Sequence, residues 1–255
     1  CGDGIYEVVI ASDDRFDNRD VEFERMPFSE LSKQMRSQKS NLALELCSEI
    51  FGNHPDLATE LGAHELMQTL GIGKRFEYSV FQLFMQAKGA LTDMHTASGG
   101  NLFLNVKGRK TWIFVDPSYT HLLHARPKPV IESWLKPFFH LDCVESFGRK
   151  DPFLDNIPRT TVTLEDGDVL FNPPWWWHAV FSEAEENIAV ASRVAPKWWD
   201  FRLHRDPSIT NNPGYALLSV YLPVRCYVAA RQLSSLVRNR KTQSSEAIMA
   251  ELFNP

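Results

Sequence analysis

Of the eight histidines in the chain, two stand where a side chain could do chemistry. His95 closes the β-type run Leu91-Thr92-Asp93-Met94-His95. His178 follows Asn172-Pro173-Pro174-Trp175-Trp176-Trp177, directly after the run Val169-Leu170-Phe171. Each lies at the mouth of an expected strand, where a β-barrel presents ligands to its cavity. Imidazole binds iron, copper, nickel and zinc without selecting among them, so the pair points to a metal site and leaves the metal open. Either histidine alone also fits a structural, hydrogen-bonded role. Asp93 is a further candidate ligand, because alternation along a strand places it on the face of His95; a strand-end carboxylate satisfied by nearby N–H groups is the alternative. Lys110 heads Lys110-Thr111-Trp112-Ile113-Phe114, where alternation gives it a face shared with Trp112 and Phe114. A lysine there must reach solvent or meet an anion. Arg193, among the apolar residues of Ile188-Ala189-Val190-Ala191-Ser192-Arg193-Val194, needs an acidic or anionic partner for the same reason.

These residues need a scaffold, and from Tyr78 onward the chain reads as short β-type runs separated by turns: 78–85, 91–95, 102–106, 111–115, 160–164, 169–171 and 188–194. Gly108-Arg109 and Glu165-Asp166-Gly167 are expected tight hairpins. The pattern is that of an antiparallel barrel or sandwich. Before it come a strand-like run, Tyr6 to Ile10, and three expected helices. The first opens at Pro27-Phe28-Ser29-Glu30-Leu31, the second runs from Asn41 to Phe51, and the third from Pro55 to Leu70, ending at Gly71. Between Asp116 and Arg159 lies a long insertion with a helix expected near Ile131–Phe139. After Pro196 the chain reads as helical to its end.

Two segments are specific. TDMHTASGGNLFLNVKGRKTWIFVDP (residues 92–117) and LEDGDVLFNPPWWWHAV (residues 164–180) resemble the Jumonji-C, or cupin-8-like, branch of the Fe(II)/2-oxoglutarate oxygenases. The second is similar to the "gDvLyiPpgWwH" ending of those enzymes, and the resemblance runs from about Phe28 to Pro196. It implies a mainly β fold with flanking helices: an N-terminal strand and helical brace over 1–77, a double-stranded β-helix (jelly-roll, cupin-like) core over 78–196, and a C-terminal helical extension over 197–255. It implies Fe(II) held by His95 and His178, with 2-oxoglutarate as cosubstrate. Thr92 and Asn101 match polar positions of the cosubstrate pocket in an asparaginyl hydroxylase of the family. Lys110 matches the basic residue that binds the far carboxylate there, at the same spacing of fifteen residues from the first ligand. Arg193 falls fifteen residues after His178, where that hydroxylase has a pocket asparagine, and is a second anion-binding candidate.

One position departs from the family. Ala97 stands where the carboxylate of the two-histidine, one-carboxylate triad is expected, and a methyl group cannot ligate. Three readings follow: an exogenous water or chloride fills the position, as in hydroxylase-like or halogenase-like chemistry; Asp93 substitutes; or catalysis is lost and the domain is a binding or scaffold module. Trp176 and Trp112 are candidates for an aromatic substrate rim receiving a small molecule or peptide, with aromatic packing under the barrel lip as the alternative. His121 and His124 could share a helix face, without a carboxylate at ligand spacing.

At 255 residues and 44% hydrophobic, the chain is long enough to bury a large core. A net charge of -5 gives no electrostatic reason to expect nucleic acid, and Arg238-Asn239-Arg240-Lys241 reads as a solvated helix end. The four cysteines show no metal-type or disulfide-framework spacing, and Cys47 reads as an ordinary buried thiol. Tyr215 to Leu233 is broken by Pro223, Arg225 and Arg231, so a packed or dimerising helix pair is expected there rather than a membrane span. The chain begins at Cys1, and any targeting segment ahead of it is not visible; a soluble protein is the expectation, its compartment left open with the cytoplasm favoured.

Overall fold

Alternation of inward and outward side chains organises the chain into two stacked antiparallel sheets with a third layer on each outer face. The structure is a computed structural model that describes residues 4–11, 21–36, 42–71, 76–97, 99–123, 125–128, 140–143 and 156–196. The elements are β1 (Ile5–Ala11), β2 (Val21–Pro27), α1 (Phe28–Arg36), β3 (Leu42–Cys47), α2 (Glu49–Asn53), α3 (Asp56–Glu60), α4 (Ala63–Thr69), β4 (Phe76–Ala87), β5 (Leu91–Ala97), β6 (Gly100–Lys107), β7 (Lys110–Val115), a 3-10 turn (Pro117–Leu122), β8 (Ala125–Lys128), β9 (His140–Cys143), β10 (Thr160–Leu164), β11 (Val169–Asn172), β12 (Trp177–Ser182) and β13 (Glu186–Pro196). One sheet has the order β11-β6-β13-β4-β3-β1-β2 and the other β10-β7-β12-β5-β9-β8. Two antiparallel sheets of this kind are the jelly-roll arrangement that the sequence implies.

Three apolar clusters assign the faces. Between the sheets lie Phe103, Ala189 and Ala191 from the first and Trp112, Phe114, Leu164 and Val180 from the second. Outside the first sheet, Phe81, Leu83, Met85 and Val190 pack with Leu31 and Met35 of α1, Ile50 of α2, Ala58 of α3 and Met67 of α4. Outside the second, Met94, Trp177 and Ala179 pack with Leu123 and Ile157. Strands β4, β7, β12 and β13 therefore send every second residue into the space between the sheets. Among the described residues no helix is long and apolar enough to cross a membrane.

The expected helix from Asn41 to Phe51 is instead β3 followed by the short helix α2. Leu-Ala-Leu-Glu-Leu is rich in helix formers, but this segment pairs with β1 on one side and β4 on the other, and that pairing outweighs intrinsic preference. The expected helix from Pro55 to Leu70 is two helices, because Gly62 takes φ +61 between them. β2, β8, β9 and β12 have no counterpart in the expected strands. The expected helix at 131–139, the C-terminal helices with their dimer contact, and His124 lie outside the described residues.

Both expected hairpin turns occur, with Gly108 at φ +96 and Gly167 at φ +86. They are fastened to each other through Asn105, whose buried amide donates to the carbonyls of Gly108 at 2.6 Å and Glu165 at 3.0 Å. Asp166 adds its carboxylate as acceptor for the Gly108 N–H at 2.5 Å. This fixes the end of the barrel where β7 begins. Asn105→Ala should lower unfolding free energy by about 1 kcal/mol, since two part-buried carbonyls lose their donor; urea denaturation monitored by tryptophan fluorescence measures it.

Candidate functional site

β12 lies between β5 and β7, and its register brings the two histidines together. His178 is the cross-strand partner of His95 on one side and of Phe114 on the other. The imidazole centroids are 4.2 Å apart with their planes at 55°. Nδ1 of His95 is 2.8 Å from the Asp93 carbonyl oxygen, and Nδ1 of His178 is 3.0 Å from that of Trp176. A carbonyl can only accept, so each Nδ1 carries the proton and the basic lone pair sits on Nε2. This is the tautomer in which a histidine ligates metal while a second contact fixes its ring.

The local sequence explains how these rings are held. Between His178 and Val180 the register shifts: two steps along β12 match three along β5, from His95 to Thr92. The extra residue places Thr92 opposite inward-facing Val180 and His95 opposite His178. What Asp93 supplies is the carbonyl that orients the His95 ring. The loop before β12 is tethered by the N–H of Trp175, which donates to the Ala97 carbonyl at 2.8 Å. Trp175 takes φ +66, a conformation costly for a bulky residue, at the place where the family ending has glycine. Gly100 has no side chain to spare: a Cβ there would lie 2.8 Å from the Asn172 carbonyl oxygen. Trp177 then anchors the start of β12 by donating from Nε1 to Thr120 Oγ1 at 2.8 Å.

The facing sheet contributes a polar row. Asn101 on β6 is the register partner of Asn172 on β11 and of Arg193 on β13. Arg193 donates from Nε to Gln82 Oε1 at 2.6 Å, and its guanidinium lies 6.0 Å from the Phe84 ring centre. Asn172 reaches across to His178, its Nδ2 being 3.3 Å from each ring nitrogen. Trp112 stacks on His178 at 5.4 Å and on Phe114 at 5.6 Å. It was expected at a substrate rim, but it is only 2% exposed and lies inside the barrel, because its strand face is the one turned toward the other sheet. Trp176 is half-buried, edge-on to Phe114 at 6.3 Å. Buried polar atoms here that lack a protein hydrogen-bond partner include Asn101 Oδ1, Asn172 Oδ1, Trp112 Nε1 and one carboxylate oxygen of Asp93, Oδ1. Such atoms are costly unless a ligand or water meets them, so they mark an interior that suits a polar guest.

Lys110 occupies the other end of the same interior, opposite Ser182 on β12 and so about 14 Å along the strand from His178, at ~3.4 Å per residue. It is 1% exposed, and its Nζ donates to Gln86 Oε1 at 2.5 Å and Ser182 Oγ at 2.8 Å. Gln86 in turn donates to Glu45 Oε1 at 2.6 Å. Burial pushes the Lys110 ammonium down from 10.5 to about 7, against the opposing pull of the Glu45 carboxylate. Both remaining candidates, Thr92 and Ala97, are half-buried on β5. Among the described residues, no group of three or more His, Cys, Asp or Glu side chains is placed to hold a metal ion. His121 is exposed, with Nδ1 3.0 Å from the Ser118 carbonyl oxygen.

Gln82, Gln86, Ser182, Glu45 and Asn172 were not anticipated from sequence. The glutamines carried a signal: they recur four apart on β4, alternating with the apolar residues Phe81, Leu83 and Met85 that face the other way. Asn172 also carried one, since the family ending has an aliphatic residue at its position.

Residues 6–200 match the family described as Cupin-like domain. The chain belongs to this Jumonji-C-type cupin-like family. Among curated proteins it is similar to the HSPB1-associated protein 1 homolog of Danio rerio, with 34% identity over 113 residues, 44% of this chain and 25% of that protein. HSPB1-associated protein 1 of Homo sapiens gives 34% over 113 residues, 44% of this chain and 23% of that protein. Jumonji C domain-containing protein 5 of Drosophila melanogaster gives 29% over 112 residues, 44% and 25%. The matched stretch thus spans about a quarter of the length of these relatives.

The Lys110 environment makes a pH prediction. The unfolded chain keeps this proton up to about 10.5, whereas the folded chain releases it near 7. More protons are then bound in the unfolded state between those values, and stability rises with pH across that window. In Lys110→Met this contribution is absent. The unfolding free energy of the wild type minus that of the variant should therefore increase from pH 7 to pH 10 in urea titrations, and a flat difference would contradict a buried, titrating Lys110.

Proposed function

We propose that this chain is an Fe(II)/2-oxoglutarate-dependent oxygenase-like enzyme. The observation that carries the reading is the register pairing of His95 with His178, their Nδ1 atoms both engaged by backbone carbonyls. The two Nε2 atoms would hold the metal. Lys110 would bind the far carboxylate of the cosubstrate, with Thr92, Asn101 and Arg193 along its path. Iron, when bound, supplies the oxidative chemistry on dioxygen and 2-oxoglutarate.

The chain's own residues do the rest. Phe84, Phe103, Trp112 and Val180 keep water from the interior, which strengthens every charge interaction inside it. Gln86 and Ser182 hold the Lys110 amine in place by accepting from it. An arriving carboxylate favours the ammonium form, so Lys110 would take up a proton as the diacid binds. Ala97 offers no donor, so the chemistry is hydroxylase-like with water at that position or halogenase-like with chloride. The substrate is a small molecule or peptide, and a cytoplasmic location belongs to the same proposal.

A second reading, a non-catalytic binding or scaffold module, is favoured by two observations: Ala97 cannot ligate, and Lys110 is already satisfied by Gln86 and Ser182. The relatives' name, HSPB1-associated protein, points the same way, toward a protein partner.

Anaerobic titration with Fe(II) and 2-oxoglutarate should produce a visible charge-transfer band that His95→Ala and His178→Ala abolish. Absence of a band in the wild type would overturn the enzymatic reading. Dependence of the band on chloride would select the halogenase-like form. Cosubstrate affinity should fall as pH rises above about 7, as Lys110 loses its proton. Ala97→Asp should tighten Fe(II) binding by about tenfold or more, measured in the same titration.

A further inference from the structure

Asn172 joins three observations that the metal-binding reading does not use. It is 1% exposed, at the inner end of β11. Its carboxamide nitrogen lies 3.3 Å from both ring nitrogens of His178, and equal distances put the amide beside the ring rather than along the Nε2 lone pair. Its oxygen is buried without a partner. The two ends of a carboxamide have the same shape, and a half-turn about Cβ–Cγ exchanges donor for acceptor. That turn brings an oxygen close to 3.3 Å from Nε2. Neighbouring ligands on an octahedral ion with bonds of ~2.1 Å sit about 3.0 Å apart. On such an ion the oxygen would lie about 4.5 Å from Nδ1, so the carboxamide must swing by more than an ångström from the flank of the ring toward Nε2 as the ion binds.

We propose that Asn172 Oδ1 is the third protein ligand of the metal, taking the role of the carboxylate that Ala97 lacks. The proposal rests on His95 and His178 holding a metal. It adds that the donor set is two imidazoles and one neutral carboxamide. The family ending carries an aliphatic residue at this position, so two departures, one removing an oxygen donor and one adding one, fall beside the same pair of histidines. Two consequences follow from charge. The protein supplies no anion, so the divalent ion keeps its full charge until a dianionic cosubstrate arrives. Metal and diacid should then bind with strong positive coupling. With the third position filled by the protein, chloride should not be required.

The test is anaerobic titration of the 255-residue chain with Co(II), followed by its visible d–d bands and by calorimetry, with circular dichroism and thermal melts for each variant. Asn172→Ala and Asn172→Ile should each weaken Co(II) binding by tenfold or more and change the band pattern. Asn172→Asp should tighten binding by about tenfold, and Ala97→Asp should restore it in the Asn172→Ala background. Wild-type affinity and spectrum in all three Asn172 variants, with binding lost in His95→Ala and His178→Ala, would overturn this proposal while leaving the two-histidine site intact. Loss in Asp93→Asn or Asn101→Ala, with Asn172→Ala unaffected, would overturn it in favour of that residue. A wild type that binds no Co(II), or binds it equally without either histidine, would remove both proposals. Should Asn172→Ala fail to fold, the isosteric Asn172→Asp decides alone: unchanged affinity overturns the assignment.

Discussion

The insertion of β12 between β5 and β7 is the constraint on which the interior depends. Its register sets His178 against His95, Val180 against Thr92 and Ser182 against Lys110 in a single strand. Side chains alternate with period two, so a slip of one residue would turn His178 outward and bring Trp177, which anchors the outer face, into the barrel. The surroundings oppose such a slip from several directions. Trp177 is bonded to Thr120, Trp175 is held in a disfavoured backbone conformation by its bond to Ala97, and Gly100 leaves room for the Asn172 carbonyl.

Within that register the interior is layered. The histidine pair and the row Asn172, Asn101, Arg193 occupy one end, and the Lys110, Gln86, Ser182 cluster the other, with aromatic rings between them. Apolar packing of this kind would stabilise a barrel best if the polar residues were absent. Retaining a buried amine and several unpartnered polar atoms works against folding stability. A fold that departs from local consistency commonly does so where it functions, and here Lys110, Asn101, Asn172 and Trp112 line the same enclosed space.

Much of this was legible in the sequence, and the gaps have physical causes. The strands β4, β5, β6, β7, β10, β11 and β13 follow from alternation and from glycines in turns. β3 did not, because Leu-Ala-Leu-Glu-Leu has helix propensity and only its two neighbours make it a strand. β12 did not, because Trp-Trp-Trp and the preceding prolines mask its alternation. At the site, His95, His178 and Lys110 were readable from residue type and spacing. The glutamines and Asn172 carried a pattern signal but, like Ser182, read as surface residues, since a polar residue on a strand is ordinarily on the solvent face. Only the stacking of two sheets makes that face an interior.

The extra residue in β5 has a consequence for how this sequence can change. Thr92 and His95 are three apart yet both oppose inward-facing residues of β12, which a regular strand could not achieve. Between them, length is constrained more tightly than identity. Substitutions at Asp93 leave the spacing intact, whereas deleting one residue would restore a regular strand with both positions still inward and remove the bulge that turns the Asp93 carbonyl toward the His95 ring. Variation in this family is therefore expected to respect the count of residues here even where it changes their chemistry.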